Sequence, residues 1–593
     1  MKKAAITIAL CLSIFVFDSN QVRARNNNMN NINSGFDNYK NNFVEALWKI
    51  YPTWASSVGY HKYDSVLVIP NDVNRKKELA FCKANLDSLK SFNLSELSDN
   101  NKTDYHLIEN QLQSTQWAIT EEKEYEWNPA MYNVSESFAV MLGNDYEPLD
   151  KRLRDFYIRM KDVPAYYDAA KKNIKSPTVE HTQLAIEQNE GGLSTFEGDL
   201  RDSLKKSKLS KAEKIQIYSR SEQTIAAIVD YTEWLKHLTN DHPRSFRLGK
   251  ELYAKKFEFD IQSAYTADQI YKKAVEHKDE LHKEMYAITQ QLWPKYFPGK
   301  SIPENKLIAI KEMIDTLSVN HVAPDSFQAA IEEQLPKLIA FIKKKDLIYI
   351  DPSKPLVVRK EPGYMAGVAG ASITAPGPYD KEGNTYYNVG SLEGWSKERS
   401  ESYLREYNDY ILQILNMHEA IPGHYTQLVY SNQSPSIIKS ILGNGAMIEG
   451  WAVYTERMML ENGYDSKNTE DNGEASPEMW LMYYKWNLRS TCNTILDYSV
   501  HAKNMSKEDA INMLTNEAFQ QQAEAEGKWK RVSVTQVQLC SYFTGYTEIY
   551  EFRDELKKKE KNRFKLKQFH EKFLSYGSAP VKYIKQLMLE EMD

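Results

Sequence analysis

From Phe36 to Ile350, apolar residues recur at intervals of three and four, the period of one face of a helix. The pattern runs through FVEALWKIYPTWASSVGY, interrupted at Pro52. It returns in DKRLRDFYIRMKDVPAYYDAAKKNI, KAEKIQIYSRSEQTIAAIVDYTEWLKHL and ADQIYKKAVEHKDELHKEMYAITQQLW. No fixed repeat period links these stretches, which argues against a solenoid. The character changes at Asp351. Between Glu361 and Gly394 the chain reads EPGYMAGVAGASITAPGPYDKEGNTYYNVGSLEG, dense in Gly and Pro. Two β-prone pieces, Ser372–Ala375 and Thr385–Val389, flank a DKEGN turn and predict a hairpin or small sheet edge. Helical spacing resumes at about Lys397 and holds to the end. The pattern predicts a mainly α protein, with an N-terminal helical region at 36–350 and a C-terminal region at 351–593 intertwined in one domain.

The first residues, MKKAAITIALCLSIFVFDSNQVRARN, follow another rule. Lys2 and Lys3 precede an apolar run from Ala4 to Phe17, too short to span a bilayer comfortably, and Val22-Arg23-Ala24 resembles a cleavage site. This predicts an export signal over 1–24. Cys11 follows Leu10 rather than a small residue, which argues against a lipid anchor. NNNMNNINSG then predicts a disordered tether over 25–35. No later run reaches membrane length. The expected mature protein is exported, periplasmic or extracellular, with no membrane anchor.

Composition narrows the function classes. At 593 residues the chain can bury a large core, and 42% apolar with 26% charged residues is ordinary globular usage. The 38 Tyr and 11 Trp favour broad buried surfaces or an aromatic-lined cleft. The net charge of −6 becomes −8 once the leader's three bases and one acid are gone, the wrong sign for a nucleic-acid partner. Beyond the leader only Cys82, Cys492 and Cys540 remain, too few and odd in number for a disulfide framework. Cys492 and Cys540 are left as either a pair or free buried thiols.

The candidate chemistry lies in NMHEAIPGHYTQ, Asn416 to Gln427. The preceding SYLREYNDYILQILNMHEA predicts one helix whose inward face carries Leu404, Tyr407, Ile411, Ile414, Leu415 and His418. On an ideal helix His418 and His424 stand about 240° out of phase and cannot share a ligand, whereas residues four apart differ by only about 40°. Pro422 cannot donate to the carbonyl of His418, and Gly423 tolerates almost any backbone angle. A Pro-Gly kink would absorb two extra residues and return His424 to the side of His418. Downstream, GNGAMIEGWAVYTERMML predicts a second helix entered near Gly445. Glu449 and Glu456, seven apart, lie nearly in phase on a face shared with Ala452 and Val453. A carboxylate on an apolar face is costly unless it is paired or metal-bound. Two His and a helix-borne Glu some 25 residues on fit a catalytic zinc site with the fourth position open. Glu419 is then the general base that takes a proton from the activated water and passes it to the leaving amine.

HEAIPGHYTQ followed by EGWAVYTE resembles the exported bacterial family known as domain of unknown function 885, placed by similarity among the helical gluzincin peptidases. PTWASSVGYHKYD, RLRDFYIRMKDVP, GNTYYNVG, LRSTCNTILDYSVHAKNMSKEDA and QVQLCSYFTGYTEI extend the resemblance over most of the mature chain. It implies a large two-lobed helical fold with a cleft, one Zn2+ on His418, His424 and Glu449, and Glu419 as base. Two departures stand beside this core. The family often has adjacent His where this chain has His424-Tyr425, and Pro-Gly where Gln536-Val537 precede Gln538.

Supporting roles follow from chemistry. Tyr542 or His501 would donate to an oxyanion. Arg489 or Arg531 would bind a peptide carboxylate, or else pair with an acid such as Asp497 or Glu524. Glu456 would accept from the back of a ligating His ring. The Ser372–Val389 hairpin would offer an edge to an extended peptide, with Asn388 as a polar contact. These residues predict an exported zinc metallopeptidase acting on short peptides. The rivals are a metal-dependent hydrolase of a non-peptide amide or ester, and a non-catalytic helical binding protein that keeps the fold.

Overall fold

The computed structural model describes residues 31–361, 371–380, 383–434, 436–465 and 474–591. The expected leader, Cys11 included, lies outside them, as do 25–30 of the expected tether. Residues 31–50 form a helix, so the disordered tether does not extend to 35. Asn33 explains the difference. Its amide accepts from Ser98 N and Asn101 Nδ2 at 2.8 and 2.9 Å, and Phe36 just beyond it is fully buried. These long-range partners fix a polar segment that composition alone marks as loose.

Helix accounts for 72% and strand for 3% of the described residues, so the fold is mainly α. Apolar side chains gather into two cores. The smaller draws on Leu67 and on residues from Tyr132 to Leu235, including the edge-on trio Phe138, Phe156 and Phe196. The larger takes in Phe36 to Trp127 and Phe246 to Met588. It crosses position 350 without interruption, so 36–350 and 351–593 share the larger core, while the smaller lies wholly within 36–350. Cys82, Cys492 and Cys540 are buried free thiols.

One three-stranded sheet of order β1-β3-β2 stands beside the site. β1 (Leu356–Lys360) runs parallel to β3 (Thr385–Val389), and β2 (Ala371–Thr374) runs antiparallel to β3 in the register Ala371 to Val389. The expected hairpin is present, one residue earlier at β2. β1 was not expected: five residues between Pro355 and Glu361 carry little local signal, and the pairing with β3 is non-local.

Eight helices position the chemistry. They are α1 (Ala267–Tyr296), α2 (Lys397–Glu406), α3 (Ile411–Glu419) and α4 (His424–Ser431), then α5 (Gly445–Glu461), α6 (Pro477–Lys503), α7 (Gln522–Val534) and α8 (Ser541–Glu560). The predicted continuous helix into His418 is in fact α2 and α3, separated at Tyr407–Tyr410. Asn408 breaks it. Its Oδ1 accepts from the N–H groups of Tyr410 and Ile411, and its Nδ2 donates to the Arg405 carbonyl at 2.9 Å. A side chain that bonds the neighbouring backbone competes with the helix ladder. α5 starts as expected at Gly445, capped by Asn444, whose Oδ1 accepts from Met447 N at 2.9 Å.

α5 and α8 pack backbone to backbone. A Cβ on Gly450 would lie 2.3 Å from the Gly545 carbonyl carbon, and one on Gly545 would lie 1.7 Å from the Ala446 oxygen. This contact sets Glu449 on α5 beside Tyr542 on α8. Gly545→Ala is expected to destabilise the protein by about 2–3 kcal/mol, because no flexible side chain can give way. Urea unfolding checks this; a change within about 0.5 kcal/mol, as at an ordinary surface position, would contradict the close packing.

Candidate metal centre

The chain stops being helical after Glu419. Ala420 N and Ile421 N both donate to the Asn416 carbonyl, each at 3.0 Å. Asn416 is fixed in turn by Tyr387 of β3, whose hydroxyl donates to its Oδ1 at 2.9 Å, and by its own Nδ2 donating to Gln334 at 2.8 Å. The Ile421–Pro422 bond is cis, and the Pro422 carbonyl accepts from Trp451 Nε1 at 2.9 Å. Gly423 then passes so close to the end of α3 that a Cβ would lie 1.8 Å from the His418 oxygen. Only glycine fits, because of this approach and not because of its φ of −74°. A new helix begins at His424. The expected kink is therefore a full break, with two helices meeting at His418 and His424.

The break brings the rings together. Their centroids are 4.8 Å apart at 87°. His424 Nε2 lies 3.4 Å and His418 Nε2 3.8 Å from Glu449 Oε2. Candidate ligand atoms of all three residues fall within 4.8 Å of one another. Tetrahedral zinc with bonds of about 2.0–2.1 Å needs donors about 3.4 Å apart. The His424–Glu449 pair already meets that spacing, the His418–Glu449 pair is a few tenths of an ångström longer, and the two imidazoles would close the rest on binding. The side chains of His418, His424 and Glu449 are 9%, 13% and 21% exposed, so the cluster is not sealed.

Glu456 stands behind His418. Its Oε1 lies 2.7 Å from His418 Nδ1 and also accepts from Trp486 Nε1 at 3.0 Å. This fixes a proton on Nδ1 and turns Nε2 toward Glu449, the orientation of a metal-ligating histidine, which binds once Nε2 gives up its proton. The Nδ1 atom of His424 and Oε2 of Glu456 are buried without a hydrogen-bond partner among the described residues.

The electrostatics point the same way. Burial favours a neutral His418, but Glu449 and Glu456 outweigh it and raise its pKa to about 10. Burial would raise Glu449, yet His418 and His424 hold it well below the carboxylate range. Burial pushes Glu456 and Glu419 up, against the pull of the histidines. Three carboxylates thus surround two imidazoles. The N, N, O donor set could hold a divalent metal and is of the kind that suits zinc.

Of the supporting residues, Tyr542 is placed at the site, its ring 6.5 Å from that of His418. Arg531 Nη2 donates to Tyr542 Oη at 3.3 Å and to Gln538 Oε1 at 2.8 Å. Arg489 pairs with Glu524 at 2.6 Å and stacks on Trp486, so the acid-pairing alternative holds in this structure. His501 is not an oxyanion donor. It is fully buried, and its Nε2 faces the carbonyls of Val532 and Thr535 at 2.8 and 3.1 Å. Asn388 is not a substrate contact either: it accepts from Arg359 and donates to Ser372 and Thr374, bracing the sheet. Trp486 and Trp451 were missed. The signal for each was an indole on an inward helix face, since a buried Trp N–H seeks an acceptor.

The two departures also find places. Tyr425 donates to the Lys354 carbonyl, which turns it away from a ligand role. Val537 sits at φ +69°, a strained position for a β-branched residue. Asp497 holds it there, accepting from Val537 N and Leu539 N at 3.0 and 3.1 Å. At the candidate metal site, Glu456→Gln should weaken zinc affinity about 10–100-fold. Competition with a chromogenic chelator measures this, and unchanged affinity would remove Glu456 from the site.

The family described as "Bacterial protein of unknown function (DUF885)" matches residues 52–588. No curated protein matches the chain. A solved structure of a candidate lipoprotein of unknown function from Shewanella oneidensis is 54% identical, with a TM-score of 0.83, over 93% of this chain and 99% of that one. A candidate lipoprotein from Colwellia psychrerythraea shares the fold at 16% identity and a TM-score of 0.76, over 95% of this chain and 99% of that one. With 52–588 covered by one family, the chain belongs to DUF885.

Proposed function

We propose that this chain is an exported zinc peptidase of gluzincin type that hydrolyses short peptides. The observation that carries the reading is the break after Glu419. It places two imidazoles and Glu449 around one point, with Glu456 behind and Glu419 beside. When bound, zinc supplies Lewis-acid polarisation of a carbonyl and acidifies water. His418, His424 and Glu449 would hold it. Short peptides are the substrates that a cluster only 9–21% exposed would admit. For export, the support is the leader-like start of the sequence and the description of both structural relatives as candidate lipoproteins. No described helix is long and apolar enough to cross a membrane.

The chain's own groups divide the remaining work. Glu419 takes the proton of the attacking water, and burial raises its basicity toward the range where a carboxylate works near neutral pH. It then returns that proton to the leaving amine. Tyr542 Oη accepts from Arg531, so its own hydroxyl hydrogen is free for the oxyanion. Burial holds that hydroxyl protonated.

Glu419→Gln is expected to keep zinc and lose about 10²–10⁴-fold in kcat/KM. A peptide library digested by wild type and variant, with metal content measured on both, checks this. Zinc-loaded wild type that cleaves no peptide, or a Glu419→Gln variant of undiminished activity, would overturn the reading.

A further inference from the structure

A cluster of charge lies beside the triad on the side of Tyr542 and Trp486. Two chains of contact lead to it. Glu456 accepts from Trp486, whose ring carries Arg489 at 4.9 Å. The Tyr542 ring, near His418, leads to Arg531. Glu524, Lys528 and Arg531 share one face of α7, at spacings of four and three, and face Arg489 on α6.

The cluster has more cations than anions. Lys485 pairs with Glu406 at 2.8 Å, and Arg489 pairs with Glu524 at 2.6 Å. Arg531 donates only to neutral oxygens, those of Gln538 and Tyr542. Lys528 is 5% exposed. Among the described residues neither Lys528 nor Arg531 is joined to a carboxylate. A buried ammonium is costly to hold. Burial, with Arg489 and Arg531 close by, holds Lys528 well below the usual lysine range, against the opposing pull of Glu524 and Glu406. An anion entering here would favour the protonated amine and meet two basic side chains that no carboxylate engages at ion-pair distance.

We propose that Lys528 and Arg531, flanked by Arg489, form a subsite for the carboxylate at the downstream end of a peptide. The proposal rests on the peptidase reading above and specifies its substrate: peptides whose carboxylate lies within the last two or three residues past the scissile bond, each spanning ~3.5 Å. Arg531 contacts both the proposed oxyanion donor and the anion, which would couple recognition of the chain end to the reacting carbonyl.

The test is calorimetric binding to the full chain carrying Glu419→Gln, zinc-loaded and after chelation. The probes are N-acetyl-alanyl-alanine, its C-terminal amide, and the α-amide of N-acetyl-alanyl-glutamate. The free acid should bind about 10- to 100-fold more tightly than the amide, the worth of hydrogen bonds to a charged group. The preference should persist without metal. The glutamate amide separates the two carboxylate sources: tight binding assigns a side-chain carboxylate, weak binding the α-carboxylate. Lys528→Met and Arg531→Gln should each bring the preference to within about twofold. Lys528→Met replaces a buried amine with an apolar group of similar length, a change that folds tolerate. Equal binding of acid and amide in both metal states, or a preference untouched by both variants, overturns the subsite. Failure of the peptidase reading would show separately, as absent zinc or absent cleavage.

Discussion

Two imidazoles six residues apart cannot share a ligand on a continuous helix, and the site depends on how the chain breaks between them. The break is held from both sides. Tyr387 and Gln334 fix Asn416 in the last turn of α3. Trp451 fixes the Pro422 carbonyl from α5. Between them Gly423 approaches the His418 oxygen closely enough to exclude any side chain. The sheet thereby holds one side of the break, at Asn416, and α5 the other, at Pro422. The strand that braces the break and the helix that supplies Glu449 belong to one mechanical unit.

The second constraint is charge. Glu419, Glu449 and Glu456 lie around His418 and His424 in a region mostly removed from water. Such a group of acids is expensive without a cation. The neighbouring cluster on α6 and α7 has the opposite imbalance: Lys485, Arg489, Lys528 and Arg531 outnumber Glu406 and Glu524, and neither Lys528 nor Arg531 has an acid at ion-pair distance. Tyr542 and Trp486 separate the two. The site is thus polarised, deficient in positive charge where a metal would sit and in negative charge a short distance away. A peptide bound across both would present its carbonyl to one and its carboxylate to the other.

Much of the centre was legible because helical phase is simple arithmetic. His418, His424, Glu449 and Glu456 meet as the spacing and Pro-Gly implied, and the entry of α5 near Gly445 was readable from Asn-Gly. Most of the failures share a cause, a partner distant in sequence; the break at Asn408 is the local exception. Asn408 ends a helix through bonds to its own neighbours and contact with Ser318. β1 exists because β3 lies alongside. His501 and Asn388 were polar residues near the motifs, yet their partners are the Val532 and Thr535 carbonyls and the sheet side chains. The Gly450–Gly545 contact is equally non-local, although a glycine inside a helical pattern is a signal of close approach.

The most direct measurement is metal stoichiometry by mass spectrometry on purified wild type beside His424→Ala, with circular dichroism to establish that both are folded. The account predicts about one zinc per wild-type chain and loss of it in a folded variant. A wild type that carries no metal and takes up none when zinc is supplied would contradict it. So would a variant that keeps its zinc, because His424 would then not be a ligand and the break in the helix would serve some other end.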